Sequence, residues 1–239
     1  MKPKVKNRIK NLYQLAPEYP RIPHLDRFIS NMTHDDIIFQ NDIKYPLSCW
    51  VSEKIDGANL AVSWTSGPVI RNRNNILRKG YSEKETPAKL QFRPTWNWIH
   101  EHSKEIRQIQ ELLMSPITIY GEWMNFCHSL NYNKLPDLFI AYDIYSVEDR
   151  KFLAPDIVED LLSKTTIKYI KPYKITFNNR DEIVAYSERM SDYRDGRREG
   201  IVVKTSNGRF VEDVFKVVNK YFVRREDFNE VIIKNSLRK

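Results

Sequence analysis

The chain has 239 residues, 41% hydrophobic and 29% charged, with only 7 glycines and 12 prolines, which fits a globular protein with a full core and excludes a low-complexity chain. Lys and Arg number 39 against 31 Asp and Glu, and the net charge of +8 favours polyanionic partners, nucleic acid or nucleotide phosphates. No apolar run approaches membrane-spanning length, none follows the basic N-terminus as in a signal peptide, and Cys49 and Cys127 form no metal-ligand spacing, so the sequence predicts reduced thiols in a cytoplasmic protein without a membrane partner.

A basic segment, 1–18, precedes the main domain, 19–239. Tyr19-Pro-Arg-Ile-Pro-His24-Leu25 carries two prolines and is expected to be extended, and Asp35-Asp36 leads from it into a strand over Tyr45–Val51. Leu60, Val62 and Trp64 alternate with Ala61 and Ser63 in a second strand, Ser66-Gly67-Pro68 turns the chain, and 69–73 returns. Pro94 starts a helix that the spacing of Ile99, Ile106, Ile109 and Leu113 carries to about Met114. Its His100 and His102 read as partly buried helix residues, not as ligands. Short strands follow at 117–121 and 138–145, helices at 155–162 and 181–190, and strands again at 201–204 and 213–218. Hairpin-length links between strands point to antiparallel pairing, hence α+β rather than alternating parallel units.

The most informative segment is Lys54-Ile55-Asp56-Gly57. It sets a lysine at the end of one strand, a carboxylate two residues on, and a glycine before the next strand. Such a joint can aim an amine at a phosphorus atom, although a plain surface hairpin reads the same way. Further along lie Arg71 and Arg73, Tyr120-Gly121-Glu122, Tyr142-Asp143, Glu199-Gly200-Ile-Val-Val-Lys204 and Phe215-Lys216. Each places a charged or aromatic side chain at or near a strand end.

In this order, from about Trp50 to Lys216, these segments resemble the nucleotidyltransferase domain of the covalent ligase and capping-enzyme superfamily. Within it the chain looks most like the ATP-dependent RNA ligases of phage and related sources. Asn59 follows the Lys-x-Asp-Gly core at a position where DNA ligases of the superfamily usually carry an arginine. The resemblance implies an ATP-grasp-like nucleotidyltransferase domain of largely antiparallel sheets flanked by helices, without a separate C-terminal oligonucleotide-binding domain. It implies Lys54 as the nucleophile that forms a lysyl-AMP, and Glu53, Ile55, Asn59, Arg73, Glu122, Tyr142, Lys204 and Lys216 as nucleotide-binding residues. It further implies Glu199 as the ligand of Mg²⁺ or Mn²⁺, ATP as the cofactor, and RNA with 5′-phosphate and 3′-hydroxyl ends as the partner of a monomer.

Asp56 is expected to shape the turn, and Arg71, Arg197, Arg198 and Lys220 to contact RNA. Arg189, Arg194, Arg224, Arg225, Lys234, Arg238 and Lys239 extend that basic track. The last strand departs from the Lys-x-Lys pattern of RNA ligases, since Lys216 is followed by Val217-Val218, and Lys220 is the candidate for the second charge. The rival readings are a minimal DNA ligase, an RNA-capping guanylyltransferase, and a catalytically inactive RNA-binding relative. Neighbouring cations at Lys204, Lys216 and Arg73, a divalent ion and partial burial are expected to favour the neutral Lys54 amine that attack requires.

Overall fold

The computed structural model describes residues 12–25, 36–79, 90–226 and 232–238. The basic stretch 1–10, Asp35 and Lys239 lie outside the described residues.

Two antiparallel sheets form the frame. The first has strands β1 (Leu47–Lys54), β7 (Tyr173–Phe177), β8 (Gly200–Ser206) and β9 (Val211–Val218), in the order β7-β1-β8-β9. The second has β2 (Ala58–Trp64), β3 (Pro68–Asn72), β4 (Ile117–Trp123), β5 (Phe139–Ser146) and the two-residue β6 (Lys151–Phe152), in the order β3-β2-β4-β5-β6. Helices α1 (Thr95–Glu101), α2 (Ser103–Leu113) and α3 (Pro155–Ser163) belong to the second sheet's core, and α4 (Arg180–Ser187) packs on the first. The α+β class with antiparallel sheets and flanking helices is as the sequence predicts.

Strand alternation decides what faces the space between the sheets. In β1, Cys49, Val51 and Glu53 are buried while Trp50, Ser52 and Lys54 keep partial exposure. Cys49 and Val51 join Ile201, Val203, Phe215 and Val217 in the core beneath the first sheet. In the second sheet Leu60, Val62, Ile70, Ile117 and Ile119 pack with Ile99, Ile106, Ile109 and Leu162 from the helices. The opposite faces carry Lys54 and Lys204 of the first sheet and Glu122 of the second. Both cysteines are free and buried, and burial pushes the Cys49 thiol up to about 12.

The long helix expected over 95–114 is two helices. His102 leaves helical geometry (φ −95°, ψ 8°), its ring Nδ1 lies 2.8 Å from the Trp98 carbonyl, and the ring stacks on Trp98 at 4.1 Å. The apolar spacing survives because the break keeps Ile99 and Ile106 in one core. Strand β7 gave no sequence signal; it is an edge strand with one buried residue, Phe177.

The N-terminal segment lies across the second sheet. Leu15 O accepts from the Thr118 hydroxyl (2.5 Å), Ala16 O from Arg71 Nη1 (3.2 Å) and Pro17 O from the Tyr120 hydroxyl (2.7 Å). Beyond the two prolines, His24 makes parallel bridges to Lys216 and to Ile38, extending the first sheet past β9. The segment thus touches both sheets.

Candidate active site

Between the sheets lies a cavity of about 850 Å³. Lys54, at the end of β1, lines it together with Asn59 of β2, Arg73 after β3, Glu122 of β4, Tyr142 of β5, Glu199 and Lys204 of β8 and its lead-in, and Lys216 of β9. Residues up to about 160 positions apart in the chain therefore share one space.

Lys54 Nζ lies 2.5 Å from Glu199 Oε1; the two side chains are 24% and 5% exposed. The pairing follows from register, because Lys54 is opposite Gly200, the residue after Glu199. Asp56 fastens the link after Lys54. Its Oδ2 accepts from the Ser129 and Leu130 amides at 2.6 and 3.3 Å, and its own N–H donates to the Tyr132 hydroxyl at 2.9 Å.

The electrostatics differ from the sequence expectation. Burial works to lower the Lys54 pKa, but Glu199 and Asp56 outweigh it and the amine is held above its ordinary value. Two of the neighbouring cations are themselves met by carboxylates. Lys204 Nζ lies 2.5 Å from Asp143 Oδ1, and Lys216 Nζ lies 3.4 Å from Asp36 Oδ1. Burial, and then Lys54, hold Lys216 below its ordinary value. Burial pushes Glu122 up to about 8, which leaves that carboxyl mostly protonated near neutrality. Glu199 is also raised by burial, with Lys54 opposing.

A bulge positions the Tyr142-Asp143 pair. Tyr120 pairs with Asp143 and Gly121 with Ala141, so Tyr142 is the extra residue on β5. Consecutive side chains can then serve one face. Tyr142 lines the cavity, its hydroxyl accepts from Asn59 Nδ2 (2.5 Å), and Asp143 reaches Lys204.

Residues 47–218, well over half of the chain, match the model of the RNA ligase family. The protein belongs to that family. Its fold is similar to that of Naegleria gruberi RNA ligase with PPi, at a TM-score of 0.58 and 20% identity. It is also similar to a lysine-to-alanine and a glutamate-to-alanine variant of that enzyme, both with ATP and Mn (TM-scores 0.54 and 0.53; 17% and 18% identity). Each alignment covers 73% of this chain and 49–50% of the Naegleria chain. The chain thus spans about half the length of those structures, and at such identity the likeness is one of fold. A comparison with curated proteins returned no match.

Two of the lining residues that the resemblance singles out are also engaged elsewhere. Glu53 lines it, but its carboxylate accepts from the Ser191 hydroxyl (2.5 Å) and the Asp192 amide (2.9 Å), so the side chain braces the 191–192 loop. Ile55 also lines the cavity and packs with Met124, Leu135 and Ile140.

Two of the arginines assigned to RNA are buried instead. Arg71 is 6% exposed, bonded to Ala16 O, 3.7 Å from Glu18 and over the Tyr13 ring. Arg198 is 9% exposed and donates to Met190 O. Arg197 donates to Glu188 O and stands over Tyr221, outside the cavity lining. Lys220 follows the end of β9 and pairs with Glu188 at 3.0 Å, so it does not supply a second cation beside Lys216. Arg224 and Arg225 do line the cavity, with Arg224 Nη2 4.0 Å from Asp36 Oδ2.

Arg71→Ala is therefore expected to lower Tm while leaving RNA affinity within about twofold. Its buried hydrogen bond is worth about 1–3 kcal/mol, or about 2–12 °C for a chain of this size, while the pair with the 59% exposed Glu18 adds little. Thermal unfolding and filter binding measure the two effects.

Sequence reasoning missed Tyr19, Arg21 and Asp36 as lining residues. The paired prolines of 19–23 signalled an extended segment but not where it docks.

Proposed function

We propose that this RNA ligase family member is an ATP-dependent RNA ligase whose 19–239 segment is one nucleotidyltransferase domain, acting as a monomer. The observation that carries the reading is the Lys54–Glu199 pair inside a cavity that also gathers Lys204, Lys216, Glu122 and Tyr142. ATP and Mn in the Naegleria structures support the choice of nucleotide and divalent ion.

Lys54 gives up a proton, for which Glu199 Oε1 is the nearest acceptor, and attacks the α-phosphorus of ATP. A N–P bond forms, the bond to pyrophosphate breaks, and the product is a lysyl-AMP. Lys204 and Lys216 stabilise the charge that builds on the α-phosphate. Tyr142 offers a ring face to adenine, Glu122 bonds the ribose, and Asn59 and Arg73 hold phosphate oxygens. AMP then passes to an RNA 5′-phosphate, and an RNA 3′-hydroxyl displaces it to seal the strand.

The donor set fits a hard cation. Glu199 Oε2 and Glu122 Oε2 are buried with no hydrogen-bond partner. Among the described residues no group of three metal-ligating side chains occurs, so Glu199 would hold Mg²⁺ with waters and phosphate oxygens completing its shell. The ion supplies neutralisation of phosphate charge.

The test is incubation with α-labelled ATP and Mg²⁺. Label surviving denaturation is expected, with none from α-labelled GTP, and nicks bearing an RNA 3′-hydroxyl should be sealed in preference to DNA ones. An unlabelled chain overturns the reading. GTP labelling or DNA preference would move it to the capping or DNA-ligase branch.

A further inference from the structure

Tyr19 precedes residues 47–218, the stretch that matches the family, yet it lines the cavity. Its hydroxyl donates to Asp143 Oδ2 at 2.6 Å, and the other oxygen of that carboxylate accepts from Lys204 Nζ at 2.5 Å. Asp143 and Lys204 are 2% and 6% exposed. The ring of Tyr19 meets Tyr142 edge-on at 5.2 Å and packs on Tyr120 and Phe152 at 5.2 and 5.3 Å.

We propose that Tyr19 is a positioning residue for adenylyl transfer, which holds Lys204 in place through Asp143 and fixes the tilt of the Tyr142 ring. The inference rests on the reading of the site as an adenylyltransferase.

Three features carry it. First, a lysine side chain has many rotamers, and one carboxylate oxygen leaves its ammonium free to swing. Asp143 is itself the mobile partner unless its second oxygen is held. Tyr19 holds that oxygen, so the ammonium sits at the end of a chain of two short, charge-assisted bonds. Second, burial and then Asp143 hold the Tyr19 phenol well above its ordinary pKa, so it remains a donor across the working range. Third, the Tyr19 backbone has little slack. Hydrogen bonds to Leu15 O, Ala16 O and Pro17 O tie the preceding residues to β3 and β4, and Pro20 follows at once.

Part of the phosphate cage is thus set by a segment that precedes the nucleophile in the chain. The edge-to-face contact has a separate consequence. Adenine stacked on Tyr142 needs that ring at a fixed angle, and Tyr19 with Asn59 leaves it little rotation.

Tyr19→Phe keeps the ring and removes only the hydroxyl, so it separates the two roles. Single-turnover lysyl-AMP formation is expected to slow about tenfold, the scale of one hydrogen bond to a charged group, with ATP KM within about twofold. Tyr19→Leu removes both contacts, and its ATP KM should also rise. The deciding measurement is a double-mutant cycle with Lys204→Arg. If Tyr19 acts through Lys204, Tyr19→Phe has little further effect in that background. Full additivity, or a parent-level rate in Tyr19→Phe, overturns the inference. A lower Tm with an unchanged rate overturns it as well, since that is the mark of packing alone. Absence of label from the parent chain would sink the adenylyltransferase reading instead, so the two failures are distinguishable.

Discussion

Lys54→Ala is expected to abolish covalent nucleotide on the chain, a fall of at least about a thousandfold in lysyl-AMP formation. No neighbouring amine can take its place. Lys204 is 6% exposed and bound to Asp143, and Lys216 is bound to Asp36. The substitution also leaves Glu199, 5% exposed, without its partner. A buried carboxylate so stranded destabilises the fold, so a drop in Tm would accompany the loss of label and could be mistaken for its cause. Lys54→Arg separates the two effects. A guanidinium keeps the charge opposite Glu199 but stays protonated at any working pH, and so cannot act as a nucleophile. Its Tm should lie near that of the parent, yet its label should be absent. Label on either variant would move the nucleophile elsewhere in the chain.

Much of this site was legible because its residues sit on strands whose apolar alternation is strong. Val51, Leu60, Val62, Ile201 and Val203 mark the buried faces, and Lys54 and Lys204 take their places by that rhythm. What the sequence concealed depends on contacts between distant segments. Arg71 and Arg73 lie two apart, so alternation treats them alike, but β3 ends at Asn72 and Arg73 lies beyond it. Residues 13–18 bury the first and leave the second on the cavity rim. Tyr142 and Asp143 should point to opposite faces, and only the bulge on β5 lets both serve the cavity. The electrostatics of Lys54 depend on the fold in the same way. Cations can be counted in a sequence, but Glu199, which with Asp56 outweighs burial and raises the amine, is set against Lys54 only by the register of β1 and β8.

Gly200→Ala should damage both stability and catalysis although it adds a single methyl group. Gly200 opens β8 opposite Lys54 on one side and Val218 on the other. A Cβ there would lie 2.1 Å from Val217 O and 2.9 Å from Val218 Cα. Those are backbone atoms, which cannot rotate out of the way as a side chain can. The strand β9 must therefore move off β8, and Lys216 moves with it. Glu199, one residue before the methyl, is displaced from Lys54 by the same strain. Overpacking of this kind costs about 1–3 kcal/mol, a Tm fall of about 2–12 °C for a chain of this length. The catalytic loss should be larger, about a hundredfold in lysyl-AMP formation, because misplacing reacting groups by a fraction of their contact distance removes their alignment. Gly67→Ala is the matched control, since a Cβ there meets nothing within 4 Å, and it should behave as the parent in both measurements. Glycine at 200 then serves the chemistry by what it lacks, since the backbone of β9 approaches it more closely than a Cβ would allow. A Gly200→Ala variant with the parent rate would show that Glu199 and Lys216 tolerate a wider cleft, and would uncouple the spacing of β8 and β9 from the reaction.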